Sequence, residues 1–98
     1  MLTGKQRSYL KGLANTITPI TQIGKGGISE SFIEQLDSAL EARELVKVHV
    51  LENSLLDTKD AANQAARLTH AEFVQAIGSK FVLYRKAKEN PKIEIPKS

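Results

Sequence analysis

The sequence predicts an α/β fold: a single two-layer domain with element order α-β-α-β-α-β-β and a mixed four-stranded sheet. Apolar residues recur at helical spacing in three stretches and at period two in others. Turn residues such as Gly24-Lys25-Gly26-Gly27 and Gly78-Ser79 separate those stretches. A chain of 98 residues leaves room for one core only. Strands separated by a helix should run parallel through crossovers, and the last two should be antiparallel.

Each element has a local reason. Thr3-Gly4-Lys5-Gln6 has capping-box spacing, with Thr3 as N-cap and Gln6 reaching back. In the helix that follows, Tyr9, Leu10, Leu13 and Ala14 share one arc, and Arg7 and Lys11 lie one turn apart just beyond it. Leu10 and Leu13 should be buried, with Arg7 and Lys11 in solvent. Asn15-Thr16 and Pro19 end the helix, and Ile20 to Ile23 reads as a short strand. Ser29 is the expected N-cap of the second helix. Phe32, Ile33, Leu36, Ala39 and Leu40 form its apolar face, opposite an acidic face of Glu30, Glu34, Asp37 and Glu41. Arg43, near the end of its apolar side, is expected to pack its stem on the core.

Leu45 to Leu51 alternates around Val46, Val48 and Val50, which makes a strand with His49 facing outward. After the Glu52-Asn53-Ser54 loop, an alanine-rich helix runs from Asp57 or Thr58 to about Thr69. Its expected buried stripe is Ala61, Ala62, Ala65 and Leu68. Glu72 to Ile77 and Lys80 to Arg85 read as a hairpin across Gly78-Ser79, a pair suited to a type II′ turn. Tyr84 falls in the alternation of the last strand and reads as packing. Residues 1–86 form the expected domain and 87–98 a loose, polar, basic tail, with Ile93-Glu94-Ile95 as a short edge strand.

Composition excludes several classes of function. There is no cysteine, so disulfide frameworks and thiolate metal sites are ruled out. The opening segment lacks an apolar signal core, and no apolar run approaches membrane-spanning length. A cytoplasmic monomer that makes no membrane contact is the expectation. His49 and His70 are single and far apart, with no acid or nucleophile partner evident, so no catalytic constellation, metal site or cofactor is expected.

The charge is segregated. Residues 1–28 hold four basic side chains and no acid, residues 29–79 hold four against nine acids, and residues 80–98 hold six against two. If the chain ends meet in space, they make one basic surface, the footprint expected of a polyanion binder.

The sharpest motif is Ile23-Gly24-Lys25-Gly26-Gly27-Ile28, placed between a strand and a helix. Its glycines allow close approach of another molecule, its N–H groups lead to a helix N-terminus, and Lys25 adds a cation. A nucleotide P-loop needs Gly-x-x-x-x-Gly-Lys-Ser/Thr, which is absent, and Ser29 stands where a dinucleotide fingerprint would need glycine. Clamping of a nucleic-acid backbone by a Gly-x-x-Gly loop fits better. The candidate nucleic-acid-contacting residues are Gly24, Lys25, Gly26 and Gly27, then Lys5, Arg7 and Lys11 on the first helix, and Lys80 and Arg85 on the last strand.

Four blocks in order resemble the CRM domain (chloroplast RNA splicing and ribosome maturation). They are Leu2 to Ala14, Ile23 to Ile28, Ala39 to Val48 and Ile77 to Arg85. A stand-alone copy of this length looks like the bacterial YhbY type. The resemblance implies a non-enzymatic RNA-binding module with a fold similar to the C-terminal domain of translation initiation factor three. It also implies association with precursors of the large ribosomal subunit, with structured ribosomal RNA as partner. The family's loop role carries onto Gly24, Lys25, Gly26 and Gly27, and its basic surface onto Lys5, Arg7 and Lys11. The alternative is a protein-interaction module whose acidic second helix docks a basic ribosomal protein.

Overall fold

Valines alternating along β2 (Leu45–Val50) set the centre of the molecule. In the computed structural model, which describes residues 2–96, Val46, Val48 and Val50 face one way and Leu45, Lys47 and His49 the other. The elements run in the order α1 (Gly4–Ala14), β1 (Thr21–Ile23), α2 (Glu30–Arg43), β2, a 3-10 turn (Glu52–Ser54), α3 (Thr58–Thr69), β3 (Glu72–Ile77) and β4 (Lys80–Tyr84). The sheet order is β1-β2-β4-β3. β1 pairs parallel with β2, whereas β4 is antiparallel to both β2 and β3. The class, element order and mixed four-stranded sheet are those the sequence predicts. Met1, Lys97 and Ser98, the last two being the end of the expected tail, lie outside the described residues.

The layering differs from the expected two. Phe32, Leu36 and Leu40 of α2 and Ala61, Ala62 and Ala65 of α3 pack with the β2 valines, Phe81 and Leu83 on one face. Leu10 and Ala14 of α1 pack on the other, over Leu45, Val74, Val82 and Tyr84. Both faces of β4 are therefore buried, as Phe81, Val82, Leu83 and Tyr84 show. α1 covers only part of its face, and the sheet beyond it is open.

Local signals are satisfied as the sequence implies. The Thr3 hydroxyl accepts from Gln6 N–H while the Gln6 side chain accepts from Thr3 N–H, both at 3.1 Å. The Ser29 hydroxyl accepts from Phe32 N–H at 3.1 Å. At the hairpin, Gly78 has φ +61° and Ser79 has no positive φ, the pattern of a type II′ turn.

α3 buries Ala61, Ala62, Ala65, Ala66 and Thr69, and Leu68 is 49% exposed. The smallest side chains meet the sheet because they permit the closest approach. The Thr69 hydroxyl donates to Ala65 O at 2.8 Å, which satisfies it in the core.

The tail is docked rather than loose, and it adds no strand. The anchor is Glu44, fully buried just past the end of α2 at φ 66°. Its carboxylate accepts from Ala87 N–H at 2.8 Å, Lys92 N–H at 2.5 Å and Ile93 N–H at 2.7 Å. Glu41 accepts from Lys88 and Glu89 N–H, and Gln6 donates to Pro96 O. Ile93 and Ile95 then pack against the α1 core. Burial alone would raise the Glu44 pKa, but the three N–H donors and nearby Lys86 outweigh it and hold the carboxyl below its ordinary value. Burial, helped by the Glu44 charge, pushes the Tyr84 phenol up.

Candidate nucleic-acid interface

The glycine loop sits at the sheet end where β1 and β2 finish and the β3–β4 hairpin turns. Leu51 N–H donates to Ile23 O at 2.9 Å, and Val50 N–H donates to Ser79 O, so loop and hairpin flank the same end. Gly24 to Gly27 form one turn, closed by Gly27 N–H on Gly24 O at 2.9 Å. Neither Lys25 nor Gly26 has positive φ, as in a type I turn.

The turn spends some of its donors on itself. Gly27 N–H closes it, and Ser29 N–H binds Gly27 O at 3.1 Å. The Lys25 and Gly26 amides, on two exposed residues, have no hydrogen-bond partner among the described residues. The start of α2 is already served by the Ser29 hydroxyl and by Glu30 in its first turn. Two donors open to an anion, the Lys25 and Gly26 amides, thus lie in the turn, one step before the helix end.

The glycines differ in what the fold asks of them. Gly27 has φ +69°, which a side chain would strain. Gly26 has no such φ, and a Cβ there would meet nothing within 4 Å. Packing and backbone geometry within the domain do not explain glycine at position 26. Gly24 lies against the loop after β2, where a Cβ would touch Leu51 and Asn53 at ordinary contact distances.

The predicted basic residues are only partly brought together. Lys80 opens β4 beside the hairpin turn and is exposed at the same sheet end as the glycine loop. Arg7 and Lys11 line a concavity along β3 with Lys59 of α3, a cation the sequence did not single out. Lys5 is exposed but projects about 160° around α1 from Arg7, so it does not share that flank.

Arg85 is elsewhere and otherwise engaged. Its guanidinium bonds Asp37 Oδ1 at 2.5 Å, Asp37 O at 3.0 Å and Thr69 O at 2.8 Å, tying β4 to α2 and α3. Its side chain is 15% exposed. It acts as a strut between β4 and the two helices. Arg43 is exposed rather than packed on the core.

Two further polar residues join the site through register. Lys47 and His49 project from β2 on the α1 side, and His49 is directly paired with Gln22 and with Lys80. Alternation alone puts both opposite the valines, but their neighbours follow only from strand pairing.

The acidic face of α2 is partly consumed inside the molecule. Asp37 holds Arg85, and Glu41 caps the tail amides. Glu30 and Glu34 remain exposed.

The domain thus carries an exposed glycine turn with one lysine at the open end of a partly covered sheet. The family model for the CRS1 / YhbY (CRM) domain matches residues 2–85, and the chain belongs to that family. It is 48% identical over 96 residues to the probable RNA-binding protein YqeI of Bacillus subtilis, covering 98% of this chain and all of that one. An RNA-binding protein of Haemophilus influenzae is 36% identical, with 98% of this chain and 96% of the relative covered. Among solved structures, the hypothetical protein SAV1595 from Staphylococcus aureus superposes with a TM-score of 0.82. It is 56% identical, with 98% of this chain and 100% of that chain covered.

Proposed function

We propose that this protein binds structured ribosomal RNA in precursors of the large ribosomal subunit and acts as an assembly factor without enzymatic activity. The observation that carries the reading is the glycine turn. It offers the amides of two exposed residues, Lys25 and Gly26, with no partner among the described residues, together with the Lys25 ammonium. It also has a glycine at position 26 that the fold does not require. A phosphate held there accepts from the Lys25 and Gly26 N–H groups and lies against the Lys25 ammonium.

Lys80, Arg7 and Lys11 extend the contact across the sheet end. With about three to five phosphates engaged, the log–log dependence of affinity on salt has a slope of about −2 to −4. That is modest for one domain, so RNA shape and neighbouring ribosomal proteins supply the rest of the specificity. The relatives named as RNA-binding proteins support the coarse reading.

The test is co-sedimentation. Wild-type protein added to a lysate should migrate with large-subunit precursor particles in a low-salt gradient and leave them as salt rises. Migration with mature small subunits, or with no particle at all, would refute the ribosomal assignment.

A further inference from the structure

We infer that the uncovered strip of sheet beside the glycine turn seats an unpaired nucleobase, with the His49 ring as its stacking surface. The inference rests on the RNA-binding reading and adds what that reading lacks, a contact to a base.

Strand register carries it. Gln22 pairs with His49, His49 with Lys80, and Lys80 with Ile77, so the four side chains form one row across all four strands. They lie on the face that α1 partly covers. The apolar side chains of α1 pack over the rows of Leu45 with Tyr84 and of Val82, and of this row only Ile77 borders α1, in the concavity lined by Arg7 and Lys11. Gln22 and Lys80 are exposed, and Ile77 is 66% exposed although it belongs to a strand. His49 stands second in the row, half-buried between its neighbours.

The dimensions and chemistry fit a nucleotide. Four strands at about 4.8 Å spacing make the row about 14 Å wide, enough for a base and its ribose. Ring-bearing residues at the centre of an open sheet are a recurrent platform for unstacked bases. Gln22 offers both an amide donor and an acceptor to a base edge. Lys80, on the other side of His49, is placed for the phosphate.

Continuity and charge decide the occupant. Gly24 follows Gln22 by two residues, so a base on His49 and a phosphate at the turn belong to adjacent parts of one strand. The row itself holds no acid, and Glu52 stands at the rim of the hollow beyond His49. A row carrying Lys80 beside the Lys25 turn suits an RNA strand better than a basic protein.

The test uses a large-subunit ribosomal RNA hairpin carrying 2-aminopurine at each unpaired position in turn. Wild type should quench the probe at one position. His49→Ala should abolish that quench and weaken binding at least about fivefold. Because a stacked base carries no charge, the salt slope should not change. His49→Phe should retain both affinity and quench, and His49→Gln, polar but not aromatic, should behave like alanine.

Quench and affinity within twofold of wild type in His49→Ala would overturn the inference. So would a His49→Phe variant as weak as His49→Gln. Lys25→Ala reports separately on the phosphate turn. If it loses affinity and salt slope while His49→Ala changes nothing, the base platform fails and the RNA reading stands. Wild type binding no hairpin at all sinks both.

Discussion

Glu44 offers the most exacting test of how this chain is held together. It has a positive φ without being glycine, and it is the buried acceptor for three tail amides. A hydrogen bond to an ionised group contributes about 1.5–3 kcal/mol, so three would exceed 4 kcal/mol if the amides stayed buried. They need not stay, because the tail can lift and return them to water. The loss is then what docking adds, including the half-burial of Ile93 and Ile95.

Glu44→Ala should therefore cost about 2–4 kcal/mol, or roughly 10–25 °C in melting temperature for a domain of this size. Glu44→Gly relieves the backbone strain and should be about 1 kcal/mol milder, even after its larger unfolded-state entropy. Urea titrations of the three proteins measure this. In hydrogen exchange, the Ala87, Lys92 and Ile93 amides should lose protection in both variants. The sign with pH follows from a carboxyl held below its ordinary 4.5 in the folded state. The advantage of wild type over Glu44→Gln should be constant above that value and shrink as pH falls through the lowered one. A loss under 0.5 kcal/mol for Glu44→Ala, or a glycine variant worse than alanine, would refute the reasoning.

Other consequences are equally concrete. Arg85→Ala removes the strut to Asp37 and Thr69 and should cost about 1–3 kcal/mol in a urea titration. Its RNA affinity at a temperature where it is folded should stay within twofold of wild type. Gly27→Ala places a side chain at φ +69° and should lose about 1–2 kcal/mol of stability. Gly26→Ala should melt with wild type to within about 0.5 kcal/mol, since its Cβ meets nothing. Lys25→Ala should weaken RNA binding and reduce the magnitude of the salt slope by about one, read from titrations at several salt concentrations.

Much of the fold was legible because its signals are local. The Thr3 capping box, the Ser29 cap, the valine alternation of β2 and the Gly78-Ser79 turn each involve residues within a few positions of one another. The buried stripe of α3 was legible only in part, because the wheel does not say that close approach to the sheet selects Thr69 over Leu68. Long-range features were not legible. Nothing local marks Glu44 as the acceptor for residues more than forty positions away, or Arg85 as a partner of Asp37. The placement of α1 on the opposite face from α2 and α3 depends on which side of β2 each helix finds. For the site, the glycine turn could be read directly, whereas His49 beside Lys80 exists only through the register of β2 with β4.

The central claim is that the glycine turn holds RNA phosphate. It is tested most directly by titrating fluorescent large-subunit ribosomal RNA fragments with wild type and with Lys25→Asp/Gly26→Asp, alongside thermal melts of both. Both positions are exposed, and a Cβ at Gly26 has open space, so the variant should melt close to wild type. The account predicts that this folded variant loses at least about tenfold in affinity through two added negative charges and one lost positive charge. A stable variant that binds as tightly as wild type would contradict it and leave the turn a purely structural connection.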